Sequence, residues 1–332
     1  MTAIAAVPLV SVIIPTYNRA ELVLRAVRTV LDQTEPNLEL LIVDDGSTDD
    51  TADVLATITD PRVRVLCPTH VGLSRARNAA LAEASGTWIA FLDDDNEWHG
   101  TYLEQQLAAA AAMPEAVAVY CPAQAFDDET GRYGEQSPWH TTAGDLFSPM
   151  MRRGYPRVSG SMVRRTTFVE AGGFPPDLEV AADCEAFLRV ALLGPWACNP
   201  QALAIRHLHG GNHLSTQWVR QRTSYWIQAS RLKRPILRRG GSRAWATWLR
   251  WHVAQAEMAA ISALPVAEKR AAAWAAVRRL AHELPWSAWA MVRPLVIAVV
   301  GPQRRAGLRR WYRSAHRALR GGSDAPPRHS HG

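Results

Sequence analysis

The chain has 332 residues, 48% of them hydrophobic and 20% charged, enough apolar material for one large core and a smaller second one, which excludes disorder throughout. Its net charge of +6 conceals a division: through Gln217 acids outnumber bases 27 to 15, and after it 22 bases face 4 acids. An acidic front and a basic back point to two modules with different partners. Cys67, Cys121, Cys184 and Cys198 show neither a C-x-x-C pair nor a framework spacing, so zinc and disulfide scaffolds are not indicated. Residues 1–10 lack the charged start and sustained apolar run of a secretory signal, so the front module is expected in the cytoplasm.

The run VSVIIP within 9–15, apolar and rich in β-branched residues, predicts a strand buried on both faces. Leu24, Val27, Val30 and Leu31 recur at helical spacing over 21–31, and 38–43 supplies a second buried strand, completing a βαβ unit. The pattern continues with a strand over 62–66, a helix over 73–84, a strand over 87–92, a helix over 102–112 and a strand over 116–121. Such alternation specifies an α/β fold, a mostly parallel Rossmann-like sheet flanked by helices, which binds ligands at the carboxyl ends of its strands.

The acids fall at those ends. Asp44 and Asp45 follow the strand LLIV, and Asp93, Asp94 and Asp95 follow WIAFL. Either cluster alone reads equally well as turn and cap chemistry. Two clusters at equivalent strand ends converge like charges in one crevice, which a cation or ligand must compensate. Carboxylate oxygens select Mg or Mn, and a diphosphate is the natural companion of such an ion. Asp45 can accept from an imide N–H, Tyr17 can stack on a base, and Arg75 and Arg77 lie near enough to offer charge to phosphates. Further on, 180–191 reads VAADCEAFLRVA and places Asp183 and Glu185 ahead of apolar helical positions, where either could act as a general base. The stretch 126–155, with Trp139, His140 and Gly144, reads as an acceptor-side loop.

These blocks resemble the inverting family 2 glycosyltransferases. VSVIIPTYNR at 10–19, LLIVDDGSTDDT at 40–51, GLSRARNAAL at 72–81 and WIAFLDDDNEW at 88–98 carry the resemblance, with looser matches in GGFP, ADCEAFLRV and HGGN. It spans about two thirds of the chain and implies a GT-A fold over 1–217. It also implies that Pro15, Tyr17, Asp44 and Asp45 surround the nucleobase, with Asp94 on the ribose. Asp93 and Asp95 match the outer positions of the D-x-D motif, with Asp95 the preferred metal ligand for Mn or Mg. Asp183 matches the catalytic base, although Ala182 stands where relatives often carry Glu. His209 matches a histidine near the metal or diphosphate, with His207 as its alternate. The implied donor is a nucleotide sugar, a UDP-sugar first, and the acceptor a saccharide, a lipid-linked sugar or a small molecule. A nucleotidyltransferase would need a Gly-rich phosphate loop where this chain reads PTYNRAE, and a degenerate binding scaffold has Ala182 as its support.

After Gln217 the chain becomes helix-prone and carries nine of the 13 tryptophans, among them Trp245, Trp248 and Trp251 beside Arg243 and Arg250. Region 218–320 therefore reads as a basic helical extension that either packs as a soluble bundle or lies against an anionic membrane, the inner face of the cell membrane. The apolar run over 285–302 is interrupted by Arg293 and Pro294, which argues against a spanning helix. No RNA-binding motif accompanies the charge, so nucleic acid is not the expected partner. The Gly-, Ser-, Pro- and His-rich end, 321–332, reads as a frayed tail.

Overall fold

The computed structural model describes residues 8–136, 142–178, 180–208 and 218–262, with 264, 268, 271, 272, 275, 276, 279, 280 and 283. The chain divides into two compact units, the first ending at Arg220 and the second starting at Gln221.

In the first unit β1 (Val10–Thr16), β2 (Leu38–Asp44), β3 (Val63–Leu66) and β4 (Trp88–Phe91) alternate with α1 (Ala20–Leu31), α2 (Thr51–Ala56) and α3 (Leu73–Glu83). β5 (Asn96–Trp98), α4 (Tyr102–Ala111), β6 (Ala118–Tyr120), β7 (Ala123–Asp127) and β8 (Arg132–Gln136) follow. Then come α5 (Phe147–Arg153), β9 (Ser161–Arg164), α6 (Arg165–Glu170), α7 (Ala182–Leu193), β10 (Trp196–Cys198) and β11 (Ala204–Leu208). The main sheet has seven strands in the order β10-β6-β9-β4-β1-β2-β3. β9 alone runs against its neighbours β4 and β6, so the sheet is mixed and mostly parallel.

The core explains why the strands were readable. All seven residues of β1 are buried, and α1 turns Val23, Ala26, Val27 and Val30 inward at helical spacing. They pack with Val12, Ile14, Leu40, Ile42 and Ala90 in one cluster. Each such buried Val, Leu or Ile side chain stabilises the fold by roughly 1.5–3 kcal/mol relative to exposure. The register then sets the site: Thr16, last in β1, stands beside Asp44, last in β2, while Ile13 stands beside Phe91 of β4. Both acidic clusters therefore leave the same edge of the sheet.

A smaller sheet, in the order β5-β11-β7-β8, was not expected from the sequence. Its strands, such as NEW and AQAFD, run three to five residues and mix polar with apolar positions, so they show no period. The stretch expected to be an acceptor-side loop supplies the end of β7, β8 and α5, and 137–141 lies outside the described residues.

α8 (Trp218–Trp248), which belongs to the second unit from Gln221 on, contains Pro235 and breaks its helical path at Gly241, whose φ is 65° and ψ −169°. A π-helical stretch over Leu249–Ala254 leads into α9 (Gln255–Ser262). Trp245 and Trp248 are core residues: their rings stack at 5.4 Å, and His252 stacks on Trp248 at 5.2 Å. Burial holds the His252 pKa down at about 4, so the imidazole is neutral in this column. Glu257, fully buried, accepts from Trp226 Nε1 at 2.8 Å and from Arg279 at 2.7 Å. Of Trp245, Trp248 and Trp251, read as either bundle core or membrane interface, Trp251 is the exposed one, with Arg250 over its ring at 5.8 Å. No helix among the described residues is long and apolar enough to cross a membrane. The expected tail, 321–332, lies outside the described residues.

Candidate active site

Asp44 and Asp45 are buried at the end of β2, and each is held by backbone. Ser47 N donates to Asp44 Oδ1 at 3.0 Å. Asp45 accepts from Val71 N at 2.7 Å and Gly72 N at 2.9 Å, one on each carboxylate oxygen, and its own N–H donates to Thr16 O. Asp45 thereby ties the ends of β1 and β2 to the start of α3. The His70 Nδ1 lies 2.8 Å from the Asp45 carbonyl oxygen and 3.2 Å from its carboxylate, and the imidazole packs on Tyr17 with centroids 4.4 Å apart. Gly46 permits this approach, because at φ 80° it has no Cβ to meet His70 N. Tyr17 remains 42% exposed and so offers a stacking surface at the mouth of the crevice, while Pro15 lies within buried β1.

The Asp93–Asp95 turn is held by side chains instead. Arg77, projecting from α3, donates to Asp93 Oδ1 at 2.5 Å, and Arg19 donates to Asp94 at 2.7 Å and Asp95 at 2.9 Å. Arg25 reaches the Asp95 carbonyl oxygen at 3.3 Å. Ser159 Oγ accepts from Asp93 N and from Asn96 Nδ2, and Trp98 Nε1 donates to the Ser159 carbonyl. Burial pushes the Asp94 carboxyl up to about 6 against the pull of Arg19. The surrounding protein also raises Asp93, although 32% of its side chain stays exposed; Arg77 opposes that rise, and the charges of Asp95 and Asp183 add to it. Asp183 thus lies within electrostatic reach of the turn.

The helix that carries Asp183 is positioned by α3. Ser74 Oγ donates to Leu178 O at 2.9 Å, Asn78 Nδ2 to Phe174 O at 2.7 Å, and Phe174 N back to Asn78 Oδ1 at 3.0 Å. Gly173 is needed there, since at φ 60° a Cβ would sit 2.8 Å from Asn78 Oδ1. The chain then enters α7 through Ala181, a non-glycine residue in the left-handed region at φ 58°, ψ 23°. Asp183 sits in the first turn of α7, partly exposed. Glu185, the alternate base, is fully buried and bonded to Arg189 one turn along, which suits it to holding α7 rather than to meeting a substrate.

Two expected residues stand elsewhere. Arg75 is exposed and donates through Nε to the Pro176 carbonyl at 3.1 Å, so Arg77 is the arginine that α3 brings to the aspartates. His207 lies between Glu97 Oε1 at 2.8 Å and Asp128 Oδ1 at 2.5 Å, engaged with those carboxylates. His209 lies outside the described residues. Among the described residues no three His, Cys, Asp or Glu side chains form a ready metal cage. The carboxylates of Asp93 and Asp95 nonetheless suit a hard divalent cation, and the guanidiniums that meet them occupy positions where positive charge is favourable. Arg19, Asn96, Ser159 and Arg206 were not assigned roles from sequence. Arg19 and Asn96 lay within motif blocks, whereas Ser159 and Arg206 sit in a short turn and a short strand that carry no periodic signal.

A mostly parallel sheet with acidic turns at the ends of β2 and β4, and a further acid on a helix beside them, defines a GT-A architecture. The profile of Glycosyl transferase family 2 matches residues 11–168. An uncharacterized glycosyltransferase of Nostoc sp. is 32% identical over 220 residues, 62% of this chain and 67% of the relative. The chain belongs to glycosyl transferase family 2. An Escherichia coli relative, a UDP-Glc:alpha-D-GlcNAc-diphosphoundecaprenol beta-1,3-glucosyltransferase, is 42% identical over 101 residues, 30% of this chain and 40% of that protein. Among solved structures, S. aureus TarS 1–349 in complex with UDP-GlcNAc shares the fold at a TM-score of 0.72 and 20% identity, covering 96% of this chain and 93% of the other. The chain spans only 30–41% of the length of several other curated relatives.

Proposed function

We propose that the chain is a metal-dependent inverting glycosyltransferase that moves a sugar from a nucleotide-sugar donor, a UDP-sugar first, to an acceptor hydroxyl with formation of a β-linkage. The observation that carries this reading is that the acidic turns after β2 and β4 leave the same edge of the main sheet, where the charge of Asp183 also acts on Asp93. The relatives favour UDP: the names of the E. coli enzyme and of the TarS complex both carry a UDP-sugar. The first also names a lipid-linked acceptor, which supports a place in cell-surface polysaccharide or glycolipid synthesis, with secondary-metabolite synthesis as a further setting.

In this reading the base lies against Tyr17, with Pro15, Asp44 and Asp45 around it, and Asp94 meets the ribose. Asp183 removes the proton of the acceptor hydroxyl as its oxygen attacks the anomeric carbon from the face opposite the leaving group. The bond to the diphosphate breaks as the new one forms, which inverts the configuration. Arg77, and Arg19 once released from its carboxylates, offer positive charge to the departing diphosphate. A Mn or Mg ion held by Asp95 and Asp93, with His209 as the further ligand, would neutralise charge on the same group.

In the second unit Arg234, Arg238, Arg243, Arg250 and Trp251 are exposed, and the first acid after α8 begins is the buried Glu257. That surface supports peripheral attachment to an anionic membrane. Co-sedimentation of the full chain with phosphatidylglycerol vesicles, lost at high salt, is the expected result.

The enzyme reading is tested by turnover. A panel of UDP-sugars with lipid-linked and simple saccharide acceptors should give UDP release, and Asp183→Asn should slow it roughly 10²–10⁴-fold with the donor still bound. Unchanged turnover in the variant would remove Asp183 as base. Donor binding without turnover in either protein would favour a scaffold, to which Ala182 already lends support.

A further inference from the structure

β9 runs against β4 and β6, so its start, not its end, lies at their carboxyl ends: Met162 stands beside Ala90, and Ser161 beside Tyr120. The single helical turn Val158–Gly160 that leads into β9 is thereby carried to the aspartates, with all three of its residues buried. Ser159, 4% exposed, uses its side-chain oxygen there as a double acceptor, from Asp93 N at 3.1 Å and from Asn96 Nδ2 at 2.9 Å. The stretch between those donors is closed by its own bond from Asn96 N to Asp93 O at 3.0 Å. One oxygen therefore pins both ends of the four-residue turn that presents Asp93, Asp94 and Asp95.

The support under that oxygen is rigid. Trp98 Nε1 donates to Ser159 O at 2.6 Å, and the Trp98 ring stacks on Tyr102 at 4.0 Å. Gly160 O accepts from Cys121 N at 2.9 Å and from Gln106 Nε2 at 3.1 Å. Gly160 lies so close to the end of β6 that a Cβ would sit 2.8 Å from Cys121 O. Trp98, Tyr102, Gln106 and Cys121 are all buried. Three neighbouring carboxylates repel one another and favour a turn that opens. A hydroxyl fixed by buried neighbours, with both lone pairs taken by donors from the two ends of the turn, opposes that opening.

We infer that Ser159 is a positioning residue, which holds the Asp93–Asn96 turn closed so that Asp93 and Asp95 are presented to a divalent cation before one arrives. It acts through the turn and meets neither the cation nor the sugar. The inference rests on the glycosyltransferase reading for the cation and for UDP as the probe.

The test compares the full-length wild type with Ser159→Ala, which removes the oxygen without adding bulk, and Ser159→Thr, which keeps it, under conditions where urea titration shows all three folded. Calorimetric titration with UDP in the presence of Mn should show binding weakened about tenfold or more in Ser159→Ala and largely recovered in Ser159→Thr. Titration with UDP in EDTA should not distinguish wild type from Ser159→Ala, because the contacts to the base lie at the other acidic cluster. Hydrogen exchange at the Asp93 amide of the metal-free chain should be faster in Ser159→Ala alone. Mn-dependent binding as tight in Ser159→Ala as in the wild type, or an equal loss with and without Mn, overturns the positioning role. A wild type whose UDP binding ignores Mn counts instead against the cation reading; unchanged Asp93 exchange in Ser159→Ala then overturns the brace on its own.

Discussion

Asp45, at the end of β2, has both carboxylate oxygens fastened by the N–H groups of Val71 and Gly72, whereas Asp93, Asp94 and Asp95, at the end of β4, are held by the side chains of Arg77 and Arg19. Backbone donors belong to the loop's own path and cannot leave without undoing it. Guanidiniums on long side chains can exchange a carboxylate for a ligand. The difference separates the two acidic clusters: Asp45 also braces the entrance of α3, whereas the three aspartates after β4 are met by groups able to let go, as the proposed binding of a cation and a diphosphate there requires. Asp94 shows the cost of the second arrangement, for it is buried enough to lift its pKa to about 6 despite Arg19.

The largest effect that sharpens the contrast is at Asp94. A carboxyl whose pKa is raised in the fold binds its proton more tightly there than in the unfolded chain. Its stabilising contribution is complete below the unfolded value of 3.8 and is lost as pH rises through about 6. The loss over that window is about 3 kcal/mol. Urea unfolding of wild type and Asp94→Asn at pH 4 and pH 7 should show the wild type losing that much more than the variant; equal losses would mean that Asp94 is not desolvated.

Next in size is Asp45→Asn, which leaves a neutral carbonyl oxygen and an amide facing two N–H donors. A loss of about 2 kcal/mol is expected, with faster hydrogen exchange at Val71 and Gly72. Full stability in this variant would break the distinction between the clusters. The smallest effect concerns the approach to Asp183: Ala181→Gly removes the left-handed strain and should raise stability by up to about 1 kcal/mol. A fall in melting temperature would show that the Ala181 methyl group packs usefully.

Much of the first cluster's surroundings was legible because buried strands such as VSVIIPT and LELLIVD announce themselves by continuous apolar character. The aspartates that follow them were legible as strand-end residues, and their convergence followed from the parallel topology. The partners were not. That Arg77 rather than Arg75 reaches Asp93 depends on which way α3 presents its faces, and two arginines two residues apart look alike until the helix is docked. β11 and the single turn Val158–Gly160 are too short to show a period, so Arg206 and Ser159 carried no signal. Trp245 and Trp248 stayed open between bundle core and interface because composition does not tell a stacked core from an exposed face.

The central claim is that the Asp93–Asp95 turn binds the cation and diphosphate of a nucleotide sugar, and calorimetric titration of UDP with and without Mn tests it most directly. The account predicts Mn-dependent binding by the wild type that falls roughly a hundredfold or more in Asp95→Ala, with the variant still folded. UDP binding that is indifferent to Mn, or that survives unchanged in Asp95→Ala, would contradict it.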